Sequence, residues 1–182
     1  IDSKNNITLT RGDSLTLTVT LLHEVPPVPP ATEPTVEPYV PEEGDVIRFA
    51  VSKGYKEQSD YDLKLSKEIP HDTLTFTCSS ADMALYYDTY NYDIEITHTD
   101  GAVDTFISGK LTINPRAVTL TSGDAEKEYD GTALVDTEVT VSGDGFVTGE
   151  GAEYTVTGSQ LTVGSSDNAF TYELNEKTNA DN

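Results

Sequence analysis

The chain has 182 residues, of which 32 are acidic and 11 basic, so its formal net charge is −21 at pH 7. Phosphate contacts need clustered lysine and arginine, and this balance therefore excludes nucleic acid as a partner and disfavours anionic membrane surfaces. No apolar run approaches the roughly 18 residues that cross a bilayer, so membrane insertion is not expected, and the first residues contain no signal-peptide core.

The first predicted strands flank an Arg-Gly-Asp tripeptide. Residues 7–10 alternate in polarity, and apolar residues at the odd positions 15–21 alternate with threonine, which is the pattern of a strand buried on one face. Arg11-Gly12-Asp13 lies between these runs. The pattern favours a bend there over an integrin ligand, because Gly and Asp are ordinary turn residues.

A proline-rich segment follows at residues 23–44. Its prolines are Pro26, Pro27, Pro29, Pro30, Pro34, Pro38 and Pro41. Proline lacks a backbone N–H and pushes the preceding residue into an extended conformation, so the segment predicts a polyproline-like loop inserted between two strands, not a strand. Two roles stay open, a stiff solvated spacer or a recognition loop, and the composition favours the spacer.

Three further strands are predicted before residue 79. Their inward residues are Ile47, Phe49 and Val51, then Tyr61, Leu63, Leu65 and Ile69, then Leu74, Phe76 and Cys78. Cys78 is the only cysteine, and its phase with Leu74 and Phe76 predicts a small buried core residue rather than a reactive thiol. After it, one helical turn is expected at 83–85 with Ser80 as its cap.

Residues 89–113 carry the strongest pattern in the chain. Alternation on the first strand and Asp100-Gly101 after it predict a hairpin with a two-residue turn, both of whose residues have positive φ. The turn sets the register. The predicted cross-strand pairs are Tyr90 with Leu111, Tyr92 with Gly109, Ile94 with Ile107 and Ile96 with Thr105. Gly109 would leave room for the Tyr92 ring, and the hairpin would be the central pair of an antiparallel sheet.

The same register places Phe106 opposite Glu95 on the face away from the core. An aromatic side chain there is either a chance exposure or a docking patch. Together with Tyr39 from the proline-rich segment and Tyr55 from a polar turn, Phe106 and Glu95 form the candidate contact surface. No residue is assigned a catalytic, cofactor-binding or metal-binding role.

The predicted fold is all-β. About seven strands in the first part, at intervals of roughly 8 to 15 residues, are typical of an immunoglobulin-like antiparallel sandwich. Tyr90 lies where such sandwiches often carry a corner tyrosine, whose hydroxyl bonds a nearby backbone group.

A second, smaller all-β domain is predicted after Asn114-Pro115, which gives domains 1–115 and 116–182. Its strands are predicted at 118–120, 139–141, 154–156, 161–163 and 170–174, between turns rich in Gly and Asp. About 67 residues support only a thin core. Because no closing apolar strand ends the sequence, this domain is expected to be truncated at its C-terminal end.

Candidate chemistry is sparse. His23, His71 and His98 share no zinc-ligand spacing with one another or with Cys78. Two acidic groups leave calcium open although neither follows a calcium-loop spacing, and solvated carboxylates are the simpler interpretation. The groups are Asp124, Glu126, Glu128 and Asp130, and Asp144, Glu150 and Glu153. An isopeptide bond would need a lysine on a dry face, which neither Lys110 nor Lys127 occupies.

The first domain resembles a known family along most of residues 5–113. The matching positions are Thr10-Arg-Gly-Asp13, Gly44-Asp45 ahead of Phe49 and Val51, Lys67 before Ile69, Asp82, Tyr90-Asn-Tyr-Asp-Ile94, Asp100-Gly101 and Thr105. On these residues it resembles the N-terminal immunoglobulin-like domain of phage tail and baseplate proteins of Gram-positive hosts, including the upper baseplate proteins of lactococcal phages. The proline-rich insertion departs from that pattern.

The second domain resembles the YDG or MBG-type repeats of bacterial surface and adhesin-like proteins. The residues are Lys127-Glu-Tyr-Asp-Gly-Thr132, Val139-Thr-Val-Ser-Gly-Asp-Gly-Phe146, Gly149-Glu-Gly151, Val163-Gly-Ser-Ser-Asp-Asn168 and Phe170-Thr-Tyr172.

Both resemblances imply scaffolding and presentation rather than catalysis. The expectation is a non-enzymatic structural or adhesion module of a phage or prophage tail particle of the baseplate type, without a cofactor, in the virion or at the cell surface. Expected partners are other subunits of the assembly and a host-surface protein or glycan. One alternative is a cell-surface adhesin fragment of a Gram-positive bacterium. Another is a carbohydrate-binding module in which Tyr55, Tyr61 and Tyr87 stack on sugars, although the chain has no tryptophan.

Overall fold

A computed structural model describes residues 1–29, 32–54, 56, 61–178 and 180. Throughout this part of the chain the regular structure is β-strand, so the all-β prediction is confirmed. The chain divides into two compact units, Ile1–Asn114 (unit 1) and Pro115–Asn182 (unit 2).

Unit 1 contains the first nine strands of the described residues. They are β1 (Ile7–Thr10), β2 (Leu15–Thr18), β3 (Leu22–Val25), β4 (Thr35–Pro38), β5 (Val46–Lys53), β6 (Asp62–Ile69), β7 (Thr75–Cys78), β8 (Asp88–Thr97) and β9 (Val103–Asn114). One sheet has the order β1-β9-β8-β5-β6, in which β1 is parallel to β9 and the other pairs are antiparallel. A second sheet pairs β2 with β7.

The core of unit 1 lies between these two sheets. Burial alternates along β5 and β8, so one face of each strand points into the core. Phe49 of β5 contacts Phe76 of β7 and Tyr92 of β8, with ring centroids 4.9 and 5.5 Å apart. Cys78 is fully buried in the same cluster, as predicted.

The β8–β9 hairpin confirms three of the four predicted pairs and corrects the fourth. Tyr90 pairs with Leu111, Tyr92 with Gly109 and Ile94 with Ile107, but Ile96 pairs with Asp104 and not with Thr105. The register shifts between Ile94 and Glu95, where Phe106 is the extra residue of β9.

The hairpin turn explains the shift. Gly101 has φ of 89°, whereas Asp100 does not adopt positive φ. The His98 N–H donates to Ala102 and the Gly101 N–H donates to His98, so the loop has three residues rather than the predicted two. One extra loop residue requires one extra residue farther along β9 to restore the inward alternation.

The proline-rich segment contains strands, which corrects the loop prediction. β3 and β4 form a separate antiparallel ribbon, called the arm here, with Leu22 opposite Pro38 and Val25 opposite Thr35. The prolines at 26, 27, 29 and 34 lie outside the paired residues, and Pro38 lies at the end of β4. Proline is tolerated in such a position because it removes no interior ladder bond.

The chain leaves β7 through a hydrogen-bonded turn at residues 80–83, so the helical turn predicted at 83–85 with Ser80 as its cap is wrong in both position and cap. The Ser79 hydroxyl accepts from the Asp82 N–H at 3.2 Å, and the Asp82 carboxylate accepts from the Ser79 N–H at 2.8 Å. This reciprocal pair is a capping box. Ser80 instead donates to the Gly12 carbonyl oxygen. Lys67 pairs with Asp82 at 2.8 Å.

Tyr90 forms the predicted corner. Its ring is buried in the core, and its hydroxyl donates to the backbone carbonyl oxygen of Tyr86 at 2.7 Å. The bond ties the start of β8 to the segment that enters it, so the hydroxyl prediction is confirmed.

Unit 2 consists of two ribbons with little buried between them. They pair β10 (Val118–Ser122) with β11 (Val139–Gly143) and β12 (Ala152–Val156) with β13 (Phe170–Leu174). The predicted strand at 161–163 is wrong: Gln160 forms an isolated bridge with Leu134, and Val163 is 83% exposed. Among the residues described for unit 2, Val147 is the buried apolar side chain.

Candidate contact surfaces

An aromatic cluster fixes the root of the arm to unit 1. The Tyr39 ring follows β4 and lies 5.2 Å from Phe106, 5.7 Å from His23 and 6.5 Å from His98. The Tyr39 N–H also donates to the Leu21 carbonyl oxygen at 2.9 Å. Residues from the arm, from β9 and from the hairpin turn therefore meet at one point.

Phe106 is not the outward aromatic that the register predicted. As the bulge residue of β9 it is half-buried and packs against Tyr39 and the core. The expected pairing with Glu95 is also wrong, because Glu95 pairs with Thr105. Of the candidate contact surface, Phe106 and Tyr39 come together, while Glu95 lies in a separate polar hollow.

His98 joins two carboxylates beside this cluster. Its Nδ1 lies 3.3 Å from the buried Asp45 carboxylate, and its Nε2 lies 3.1 Å from Asp104. The hydrogen bond to Asp104, together with that to Asp45, raises the pKa of His98. Only the imidazolium can donate through both ring nitrogens, so the protonated form holds the β4–β5 turn to the hairpin. Burial, and then the charge of Asp45, raises the pKa of Tyr39.

Glu95 lines a hollow of about 700 Å³ on the outer face of β8 and β9. Its carboxylate binds the Lys56 ammonium and accepts a hydrogen bond from Thr105 at 3.4 Å. Asp93 lies beside it, and burial, followed by the negative charge of Glu95, raises the pKa of Asp93. Tyr55, the fourth residue of the candidate surface, lies outside the described residues.

The Arg-Gly-Asp tripeptide is a turn with a buried arginine. The Arg11 side chain is 7% exposed and donates to the Ala84 carbonyl oxygen at 3.3 Å. The Gly12 N–H donates to the Met83 carbonyl oxygen, and φ at Gly12 is 78°. A receptor that reads the arginine of this tripeptide would need that side chain exposed, so the geometry agrees with a bend.

The tyrosines considered for sugar stacking are differently placed. Tyr61 and Tyr87 are half-buried. Tyr86 is 47% exposed and stacks on Tyr87, with ring centroids 4.6 Å apart. Tyr86 therefore provides the flat aromatic surface at this point. The sequence did not distinguish Tyr86 from Tyr87, because both adjacent positions carry tyrosine.

The residues considered for metal or covalent chemistry make local bonds. Asp130 accepts hydrogen bonds from Lys127 at 2.9 Å and from Thr132 at 2.7 Å. Both bonds lower the pKa of Asp130, and the bond from Thr132 has the larger effect. Asp144 accepts from the Ala117 N–H at 3.0 Å. Within the described ranges no group of three or more His, Cys, Asp and Glu is placed to hold a metal ion. Burial raises the pKa of the Cys78 thiol to about 11.

The arm is the surface that sequence reasoning missed. Its available signals were the short alternation at 35–37 and the absence of Lys and Arg from residues 22–44.

Among the described residues, the structure contains no helix with the length and apolar character of a membrane span.

Comparison of the chain with protein-family models, with curated proteins and with solved structures finds no match.

Proposed function

We propose that the chain is a non-enzymatic structural module of a phage or prophage tail particle of the baseplate type, which acts by assembly and display. The observation that carries this proposal is the arm, a ribbon whose strand residues are exposed apart from half-buried Val25. The arm adds little buried surface to unit 1, so its role lies in contacts with other molecules.

The proposal includes an immunoglobulin-like identity for unit 1. The order β1-β9-β8-β5-β6 with a parallel β1–β9 pair, the separate β2–β7 sheet and the Tyr90–Tyr86 bond support it. The sequence resemblance of residues 5–113 points to the same family of tail domains. A strongly acidic surface suits proteins that must stay soluble and apart outside the cell.

Particle fractionation tests the proposal. Tail particles purified from an induced culture of the native host, and labelled with antibody raised against this chain, should carry the label at a fixed position. Label confined to the cell-wall fraction would contradict the particle role and assign the chain to a surface adhesin. Partner subunits in the particle would be identified by cross-linking from the arm.

A carbohydrate-binding role is the second candidate, and the stacked Tyr86–Tyr87 pair favours it. Aromatic faces of this kind stack on sugar rings. A glycan array should show saturable binding that Tyr86→Ala abolishes and Tyr129→Ala, a change at an exposed tyrosine of unit 2, leaves unchanged. An array without saturable binding removes this candidate.

A further inference from the structure

The two faces of the arm differ. The His23 ring contacts Tyr39, so the face that carries His23 is turned toward unit 1. The opposite face carries Leu22, Glu24, Val36 and Pro38, and Val40 follows along the chain. Leu22 is 51%, Val36 60% and Val40 78% exposed. The outer face is therefore an uncovered strip of apolar side chains that also carries Glu24 opposite Val36.

The two edges of the arm also differ. In the described part of the chain, β3 and β4 pair only with each other, so each has one edge without a strand neighbour. β4 includes Pro38, which has no N–H to donate along that edge. β3 contains no proline, so every residue of β3 that faces away from β4 keeps both its backbone N–H and its carbonyl oxygen on the free edge. A pairing strand is better accepted by β3.

Charge selects the partner. Residues 22–44 contain five glutamates and no lysine or arginine. Glu24 is at the centre of β3, is exposed, and makes no salt bridge with any described residue. An acidic partner would be repelled, and so would a second copy of a chain whose net charge is −21.

We propose that β3 is the docking edge for a basic extended segment of another protein subunit. The segment adds a third strand beside β3, and one face of it carries both aliphatic side chains, which cover the strip at Leu22 and Val36, and Lys or Arg side chains, which pair with Glu24. Strand addition supplies backbone hydrogen bonds, while alternate side chains give specificity. A third strand also stabilises a two-stranded ribbon that is marginal alone. This inference deepens the proposed assembly role and rests on it.

A peptide of repeating Val-Thr-Lys-Thr, capped at both ends, is the probe, because an extended strand of this sequence carries valine and lysine on the same face, and the full chain is the target. Fluorescence anisotropy should show binding that weakens with salt, and amide hydrogen exchange should show new protection at Leu22–Val25. Glu24→Lys should weaken binding about tenfold, and the paired change Leu22→Thr with Val36→Thr should weaken it by a similar factor. These side chains are exposed, so the variants keep the fold, which an unchanged melting temperature verifies.

The matched control is Glu173→Lys, the same charge change at an exposed residue of β13 in unit 2, and it should change binding by less than about twofold. The proposal is overturned by equal effects of Glu24→Lys and Glu173→Lys, by new protection outside the arm, by equal binding of a peptide of repeating Val-Thr-Glu-Thr, or by no measurable binding. Self-association of the chain that Glu24→Lys abolishes would assign the edge to a second copy and also overturn it. The particle experiment does not use this peptide, so a failure of the docking proposal can be distinguished from a failure of the proposed function.

Discussion

The Tyr92 ring fills the space that a side chain at its cross-strand partner Gly109 would need. A Cβ at position 109 would lie 2.9 Å from Tyr92 Cε1 and 2.5 Å from the Asn5 carbonyl oxygen. The Tyr92 hydroxyl donates to that same oxygen, so ring, glycine and N-terminal segment are packed together.

Gly109→Ala is therefore expected to destabilise unit 1 by about 2 kcal/mol, because backbone and ring must both move. Cys78 gives a specific measurement: its thiol is fully buried, so its rate of labelling by a thiol reagent reports opening of unit 1. Ser108→Ala, at the exposed neighbour, should leave the labelling rate unchanged. Equal labelling rates for the two variants would show that the space at position 109 is not closed.

Tyr90→Phe should destabilise unit 1 by about 1 kcal/mol, because it removes one hydrogen bond and keeps the buried ring. The same Cys78 labelling measures the loss, with Tyr172→Phe in unit 2 as the control at an exposed tyrosine. If Tyr90→Phe labelled as slowly as the native chain, the corner bond would contribute nothing to the stability of unit 1.

The pairing of β8 with β9 was predictable as far as local alternation decides it. The pairs of Tyr90, Tyr92 and Ile94 were predicted from the alternation and a two-residue turn, and they hold because the bulge at Phe106 offsets the extra loop residue. The pair of Ile96 lies between the bulge and the turn, so it follows the three-residue loop and differs from the prediction. That bulge is packed by Tyr39, which lies far away in sequence, and no local pattern carries such information.

His98 is expected to make stability depend on pH. Its pKa is raised in the folded chain, so the stabilisation is fully present below the ordinary value of 6.5 and is lost as the pH rises through the folded pKa. His98→Gln should remove this pH dependence. Urea unfolding followed by tyrosine fluorescence across this range measures it in both chains, and an unchanged profile in His98→Gln would exclude His98 as its origin.

The partner of His98 can be tested separately. Asp104→Asn should lower the His98 pKa, measured by NMR titration of the imidazole protons, because Asp104 supplies the largest contribution. Asp104 is 68% exposed, so the change is compatible with the fold. Glu173→Gln removes the same charge in unit 2 and should leave the His98 titration where it is. A His98 pKa that is the same in Asp104→Asn as in the native chain would contradict the bridging geometry.

Arg11→Ala should destabilise unit 1 by about 1–3 kcal/mol, because it leaves a buried cavity and removes the bond to the Ala84 carbonyl oxygen. Cys78 labelling again measures the change, and Lys177→Ala, at an exposed lysine of unit 2, is the control. Native chain coated on a surface should not support adhesion that a soluble Arg-Gly-Asp peptide inhibits. Peptide-sensitive adhesion would contradict the buried-arginine turn.

The candidate surfaces were less predictable than the core because they depend on contacts between distant segments. Leu22, Val36 and Val40 have the composition of a solvated proline-rich loop, and only the pairing of β3 with β4 turns them into one strip. His98 and Asp45 are likewise brought together by the sheet rather than by sequence spacing. Cys78 was predictable, because the phase of one short strand decides its burial.

Residue-resolved hydrogen exchange of the full chain tests most directly whether unit 1 holds its core closed while it leaves the arm uncovered. The amides of β5 and β8 should exchange slowest, and those of β3 and β4 at least about a hundredfold faster, because a ribbon with few buried contacts opens locally. Arm amides that exchange as slowly as those of β5 would contradict the account, since they would show that the arm is already covered.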